Sequence, residues 1–134
     1  MRGAQQMNER ENLCGLSILV LEDDYYIAAA LKRLLTLAGA TVHGPFASEN
    51  DAIEHLENCI PDCALLDINL GFGPSFNTAR VLKMHGIRFV FISGYDTFVV
   101  PEEFADIPLL QKPIGLSDLV RAIVPQTHCL KDIP

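Results

Sequence analysis

Among the 134 residues, no apolar run approaches the ~20 needed to span a bilayer, and residues 1–12 lack the apolar centre of a secretion signal. Membrane association is therefore not expected, and the expected location is cytoplasmic. No basic cluster offers itself to a row of phosphates: 17 acidic residues stand against 10 basic ones, for a net charge of −7. Nucleic acid is thereby excluded as an expected partner. The four cysteines (Cys14, Cys59, Cys63, Cys129) show no paired C-x-x-C spacing, so buried or idle thiols are expected rather than a metal site or a disulfide. His43, His55, His85 and His128 are scattered without ligand spacing and read as surface or packing residues. No internal repeat and no second domain are visible.

What is present is the balance of a folded protein: 49% hydrophobic and 20% charged residues, in a length that suits one domain with a real core. Leu16 to Leu21 is a short apolar run ending at Glu22-Asp23-Asp24, as expected of a strand buried on both faces. From Asp24, residues Ile27, Ala30, Leu31, Leu34, Leu35 and Ala38 recur at helical spacing, and Gly39 follows where a helix C-cap sits. Ala40 to Phe46 reads as a second strand, and Ser48 is placed to cap a second helix through Ala52, Ile53 and Leu56. Cys63 to Leu66 forms a third strand that delivers Asp67 to its carboxyl end, before Gly71 to Pro74 breaks the structure. A short helix over Asn77 to His85 stops at Gly86, and Arg88 to Ile92 makes a fourth strand ending at Ser93 and Gly94. Asp96 to Asp106 has only a weak helical pattern, so any fourth helix is expected to be short or mobile. Ile107 to Gln111 is a fifth strand closed by Lys112-Pro113, and Leu116, Leu119, Val120 and Ile123 supply the stripe of a last helix that Pro125 should stop.

Strand-then-helix units with short connections predict a flavodoxin-like, doubly wound five-stranded parallel α/β sheet of order 2-1-3-4-5. The expected boundaries are a loose extension over 1–14, the domain over 15–125 and a tail over 126–134. In that order Glu22, Asp23, Asp67, Ser93 and Lys112 all reach one edge of the sheet. Unpaired carboxylates gathered there repel and raise each other's pKa, so the cluster demands a cation. Carboxylate and carbonyl oxygens form the ligand set for Mg²⁺ or Mn²⁺, and a metal beside a lysine makes a receptor for a phosphoryl group.

Each residue also has an ordinary role. Asp24 suits a helix N-cap, which leaves Glu22 and Asp23 for metal. A lone aspartate after a strand is a common turn residue, as are Ser93-Gly94, and a lysine before a proline is commonly solvated. The conjunction of all of them, in order, at the ends of strands one, three, four and five is what carries the functional reading.

Ile18 to Asp24, Leu65 to Leu70, Ile92-Ser93-Gly94 and Gln111-Lys112-Pro113 resemble the signatures of response-regulator receiver domains, of the CheY-like fold, over about Leu16 to Val124. The resemblance implies that Asp67 accepts a phosphoryl group from a histidine kinase, becoming an aspartyl phosphate in a Mg²⁺-dependent two-component system. It implies that Asp23 contacts the ion directly, Glu22 through water, and the Ile68 backbone carbonyl completes the protein ligands. Ser93 is then expected to bond a phosphoryl oxygen, Lys112 to pair with the phosphate, and the Lys112-Pro113 bond to be cis. Asn69 and Tyr95 flank the expected water path and are placed to set the dephosphorylation rate.

The family's usual aromatic switch residue lies three positions before the lysine, where this chain has Leu109. Phe91-Ile92-Ser93-Gly94-Tyr95, with the downstream Pro101 to Phe104 and Pro108 to Pro113, resembles the single-domain subgroup built around a Phe-Ala-Thr-Gly-Tyr motif. Switching is accordingly expected in Tyr95 to Asp106, ordered when Ser93 engages phosphate.

The leading expectation is a stand-alone receiver that signals or relays phosphate in trans, catalysing only its own phosphorylation and dephosphorylation. A histidine phosphotransfer protein or another protein target is the expected partner beyond the kinase, with the chain a monomer or weak homodimer. The competing reading is a phosphatase that also uses an aspartyl phosphate, but Asp67-Ile68-Asn69 lacks the second acidic residue such enzymes use as acid/base. A protein-binding pseudo-receiver is the third reading, and its acidic and lysine positions are normally degraded, whereas here they are intact.

Overall fold

The computed structural model describes residues 13–70, 74–94 and 100–132, with side chains described as far as Val124. Five strands, β1 (Ser17–Leu21), β2 (Thr41–Phe46), β3 (Cys63–Asp67), β4 (Arg88–Ser93) and β5 (Leu109–Gln111), form one parallel sheet of order β2-β1-β3-β4-β5. Four helices, α1 (Tyr25–Leu37), α2 (Glu49–Leu56), α3 (Asn77–Met84) and α4 (Leu116–Asp132), connect or follow the strands. The predicted architecture and strand order are those observed.

Alternation along the buried strands divides the core into two layers. Ile18, Val20, Leu65, Val90 and Ile92 pack on one face with Leu31 and Leu35 of α1 and Leu119 and Ile123 of α4. Leu19, Leu21, Ala64, Leu66, Phe89 and Phe91 face the other way, against Ala52 and Leu56 of α2 and Ala79 and Leu82 of α3.

Local chemistry sets the helix ends. The Asp24 carboxylate accepts hydrogen bonds from Tyr26 N (2.9 Å) and Ile27 N (3.1 Å), satisfying two of the free donors that begin α1. Ser48 does the same for α2 through Asp51 N. After α1 the chain turns at Gly39, whose φ is +97°; a Cβ there would also lie 2.9 Å from Cys14 Cα, so both handedness and space demand glycine.

The connection between β4 and β5 contains, among the described residues, only a 3₁₀ turn over Glu102–Phe104. This turn delivers Phe104, 1% exposed, into the core layer of α2 and α3. Its ring sits 5.8 Å from Phe76 in a stacked geometry and meets Phe89 and Phe91 edge-on, while Lys83 lies over it at 5.5 Å. Arg80 Nε to Glu103 (3.2 Å) and Lys83 Nζ to the Glu103 carbonyl (2.8 Å) fasten the turn to α3.

Two expectations need correction. Pro125 does not stop the last helix, which runs through it to Asp132. Proline removes one backbone hydrogen bond and crowds the preceding turn, a cost a helix can carry as a local distortion. The histidines are not all scattered: His43 on β2 and His55 on α2 meet, Nδ1 to Nε2, at 2.8 Å. Burial, then the neighbouring imidazole, lowers the His43 pKa, with Asp62 opposing. Cys14 and Cys59 are exposed and Cys63 is buried, all three as free thiols.

Phe104→Ala should lower the unfolding free energy by ~3–5 kcal/mol, the cost of emptying a large aromatic site. Leu109→Ala, at a position 47% exposed, should cost less than ~1 kcal/mol. Urea titrations of both variants check this, and equal losses would contradict the assigned anchoring role of Phe104.

Candidate functional site

Strand register assembles the site. Leu21 is opposite Leu66, so the next residues, Glu22 and Asp67, come side by side. Asp67 is opposite Ile92 and Ser93 is opposite Gln111, which brings Ser93 and Lys112 to the same edge. Lys112 N donates to the Ser93 carbonyl at 2.8 Å, fastening the last of these residues to the fourth strand.

Three carboxylates converge: Glu22, Asp23 and Asp67 each offer one oxygen, all within 4.8 Å of one another. Glu22 and Asp67 are buried, at 2% and 3% exposure, and Asp23 lies at the exposed rim. The Lys112 ammonium is 2.7 Å from Glu22 Oε1 and 3.5 Å from Asp67 Oδ1. Glu22 Oε2 accepts from Asp24 N at 3.1 Å, and Asp67 Oδ1 accepts from Asn69 N at 3.2 Å. Among the described residues Glu22 Oε1 has no partner besides the lysine.

One ammonium cannot offset three carboxylates, and Asp67 registers the deficit. Burial first, then the charge of Glu22, raises its pKa to about 7, against the opposing pull of Lys112 and the Asn69 N–H. A cluster of hard oxygen donors with an uncompensated negative charge and an exposed rim fits a hexacoordinate divalent cation such as Mg²⁺ or Mn²⁺.

The remaining predicted residues fall as follows. Ser93, at the end of β4, is 1% exposed. Ile68 is buried beside Asp67, with its N–H donating to the Ile92 carbonyl (3.1 Å) and its own carbonyl accepting from Ser75 N (3.0 Å). That carbonyl therefore already serves the loop, with one lone pair remaining. Asn69 is half-buried and paired with Pro74 in an isolated antiparallel bridge. The Lys112-Pro113 peptide is cis, as is Gly44-Pro45, which the sequence reading did not anticipate. Leu109 lies beside Phe91 on the edge strand, half-exposed. Tyr95 and 95–99 as a whole lie outside the described residues, so the expected switching segment is described only from Val100 onward.

A groove of about 710 Å³ leads away from the carboxylates, walled by Tyr26, Ile27, Ala30 and Leu34 of α1 and by Pro113 and Ile114 opposite. Tyr26, one of its lining residues, is 81% exposed. Sequence reading placed the carboxylates but not this groove, because its two walls lie some eighty residues apart in the chain.

An acidic pocket and a lysine at the carboxyl edge of a five-stranded parallel sheet define a class of α/β domain. No family sequence profile matches the chain, and no curated protein sequence does. Solved structures do: SdrG from Sphingomonas melonis Fr1 is 33% identical over 81% of this chain and 93% of that one, with a TM-score of 0.73. The BeF3-activated conformation of SdrG, from Pseudomonas melonis Fr1, gives 32% identity, 83% and 95% coverage and a TM-score of 0.72. The REC domain of the PhyR response regulator from Erythrobacter litoralis is 25% identical over 92% and 97% of the two chains, with a TM-score of 0.69. The chain belongs to the response-regulator receiver (CheY-like) family.

The raised Asp67 pKa has a signed consequence for stability. Between about pH 4 and pH 7 the native state holds a proton that the unfolded chain has lost, so without divalent metal stability falls as pH rises through that window and levels off above it. Asp67→Asn has no carboxylate to ionise and should melt higher than the parent at pH 8, with the gap closing towards pH 4. Thermal melts across that range in EDTA test this, and a pH-independent gap would contradict it.

Proposed function

We propose that the chain is a phosphorylation switch in which the Asp67 carboxylate accepts a phosphoryl group from the phosphohistidine of a sensor histidine kinase. The observation that carries this reading is the buried Asp67 carboxylate held between an acidic cluster and the Lys112 ammonium. An Asp67 oxygen attacks phosphorus, the P–N bond of the donor breaks, and the donor imidazole leaves with its electron pair and takes a proton. Water later hydrolyses the acyl phosphate and restores the carboxylate. The chain acts only on its own aspartate and is not an enzyme towards a separate substrate.

Glu22, Asp23, Asp67 and the free lone pair of the Ile68 carbonyl are the residues to hold Mg²⁺ or Mn²⁺. Bound there, the ion supplies the positive charge that the cluster lacks and offsets charge on the phosphoryl oxygens. Lys112 turns from Glu22 and Asp67 to a phosphoryl oxygen, and the Ser93 hydroxyl donates to another. Asn69 and Tyr95, two residues beyond Asp67 and Ser93 in the sequence, set the lifetime towards hydrolysis. With Leu109 in place of an aromatic, switching belongs to the Tyr95 to Asp106 segment, and Pro113 holds the lysine's approach. The solved BeF3-activated form of SdrG supports this chemistry, since trifluoroberyllate on a carboxylate imitates a phosphoryl group in charge and shape.

The apolar groove beside α1 suits a helix of the kinase or of a histidine phosphotransfer protein, with its histidine delivered at the Asp67 end. The state is read in trans by a cytoplasmic protein target, with the chain a monomer or weak homodimer. Among the described residues no helix is long and apolar enough to cross a membrane.

Intact mass after incubation with a small phosphoryl donor and Mg²⁺ tests the reading. A base-labile gain of about 80 Da, one phosphoryl group, is expected on the parent, absent from Asp67→Asn and lost with EDTA. The same adduct on Asp67→Asn, or none on a parent that binds Mg²⁺ and is presented with a phosphorylated kinase, would sink it.

A further inference from the structure

The loop that follows Asp67 is held by a residue from a different helix. Helix α3 begins without a cap of its own: Phe76 occupies the N-cap position and makes no side-chain hydrogen bond there. Glu49, in the first turn of α2, reaches across instead. Its Oε2 accepts from Thr78 N at 2.8 Å, and its Oε1 accepts from the Ser75 hydroxyl. These contacts span 29 and 26 residues. Thr78 is fully buried and Glu49 and Ser75 are half-buried, so the carboxylate is partly shielded from competing water.

Ser75 is also the residue whose N–H donates to the Ile68 carbonyl, and Pro74 pairs with Asn69, whose N–H donates to Asp67 Oδ1. A continuous set of hydrogen bonds thus runs from the start of α2, through Glu49 and Ser75, to the Ile68 carbonyl, with Asn69 facing Pro74 across the isolated bridge beside it. Releasing Glu49 frees the Ser75 hydroxyl and the first turn of α3 together, so the Ser75 amide that donates to Ile68 loses its own anchor. Capping alone would need only the Thr78 contact; the second oxygen is committed to the loop.

We propose that Glu49 is a positioning residue that fastens Ser75 and Thr78 and, through Ser75, holds the Ile68 carbonyl, and with it the Asn69 amide that follows, in register with Asp67. The proposal rests on the receiver reading for its link to Mg²⁺ and phosphate. Neither Glu49 nor Ser75 carries a local sequence signal for this role, because Glu49 reads as an ordinary first-turn acid after the Ser48 cap.

The test compares Glu49→Ala, Ser75→Ala, Ser75→Thr and Ala52→Gly, the last weakening α2 without touching the clamp. Two quantities are measured: Mg²⁺ affinity by isothermal titration, and hydrogen exchange of the Asn69 and Thr78 amides in metal-free buffer. Glu49→Ala should weaken Mg²⁺ binding about tenfold and speed exchange at both amides. Ser75→Ala should weaken binding less, and Ser75→Thr, which keeps the hydroxyl, should recover it. Ala52→Gly should lower the melting temperature while leaving Mg²⁺ affinity within about twofold. If Glu49→Ala and Ala52→Gly lose affinity equally, or if exchange at Asn69 is unchanged in Glu49→Ala, the clamp is overturned. A parent chain that binds no Mg²⁺ overturns the receiver reading and the metal link with it, while the metal-free exchange data decide the clamp independently.

Discussion

Burying negative charge is the constraint on which the rest of this protein depends. Glu22 and Asp67 are withdrawn from water at the ends of two adjacent central strands, and a carboxylate removed from water loses solvation that its neighbours must replace. Lys112 replaces part of it, at 2.7 Å from one and 3.5 Å from the other, and the Asn69 and Asp24 amides replace a little more. The remainder is visible as the elevated Asp67 pKa. A site left short of positive charge suits a divalent cation, which would supply the missing charge.

The scaffold makes that uncomfortable arrangement permanent. Parallel strands buried on both faces have no freedom to slide, since a one-residue slip would exchange the two core layers and drive Asp67 to the wrong side of the sheet. The carboxylates are therefore held by a large apolar core rather than by each other. Between β4 and β5, Phe104 packs into the core, and the 3₁₀ turn carrying it is fastened to α3. Helix α3 in turn is begun by Glu49 of α2. The connection from Asp67 thus leads into the same helix to which the Glu102–Phe104 turn is fastened.

The sheet, its order, the Asp24 and Ser48 caps and the meeting of Glu22, Asp23, Asp67, Ser93 and Lys112 were all legible in the chain. They were legible because each depends on short-range pattern: apolar runs of strand length, a helical stripe, a polar residue at a fixed offset from a strand's end. Pro125 misled because a proline's local penalty does not by itself end a helix, and this one runs on to Asp132. The Glu49 contacts, the His43–His55 pair and the groove beside α1 left no trace in local pattern, since each joins residues that only packing brings together.

By itself the sequence determined which residues are apolar, at what period, and which polar residues stand at the strand ends; a doubly wound parallel sheet then follows, and with it the identity of the acidic site. Tertiary structure alone decided that Lys112 rests against Glu22 as well as Asp67, that the Ile68 carbonyl is shared with Ser75, and that Phe104 is buried in the core between β4 and β5. The physical reason is range: burial and hydrogen-bond partners are properties of the packed molecule, set by distances in space that no spacing along the chain encodes.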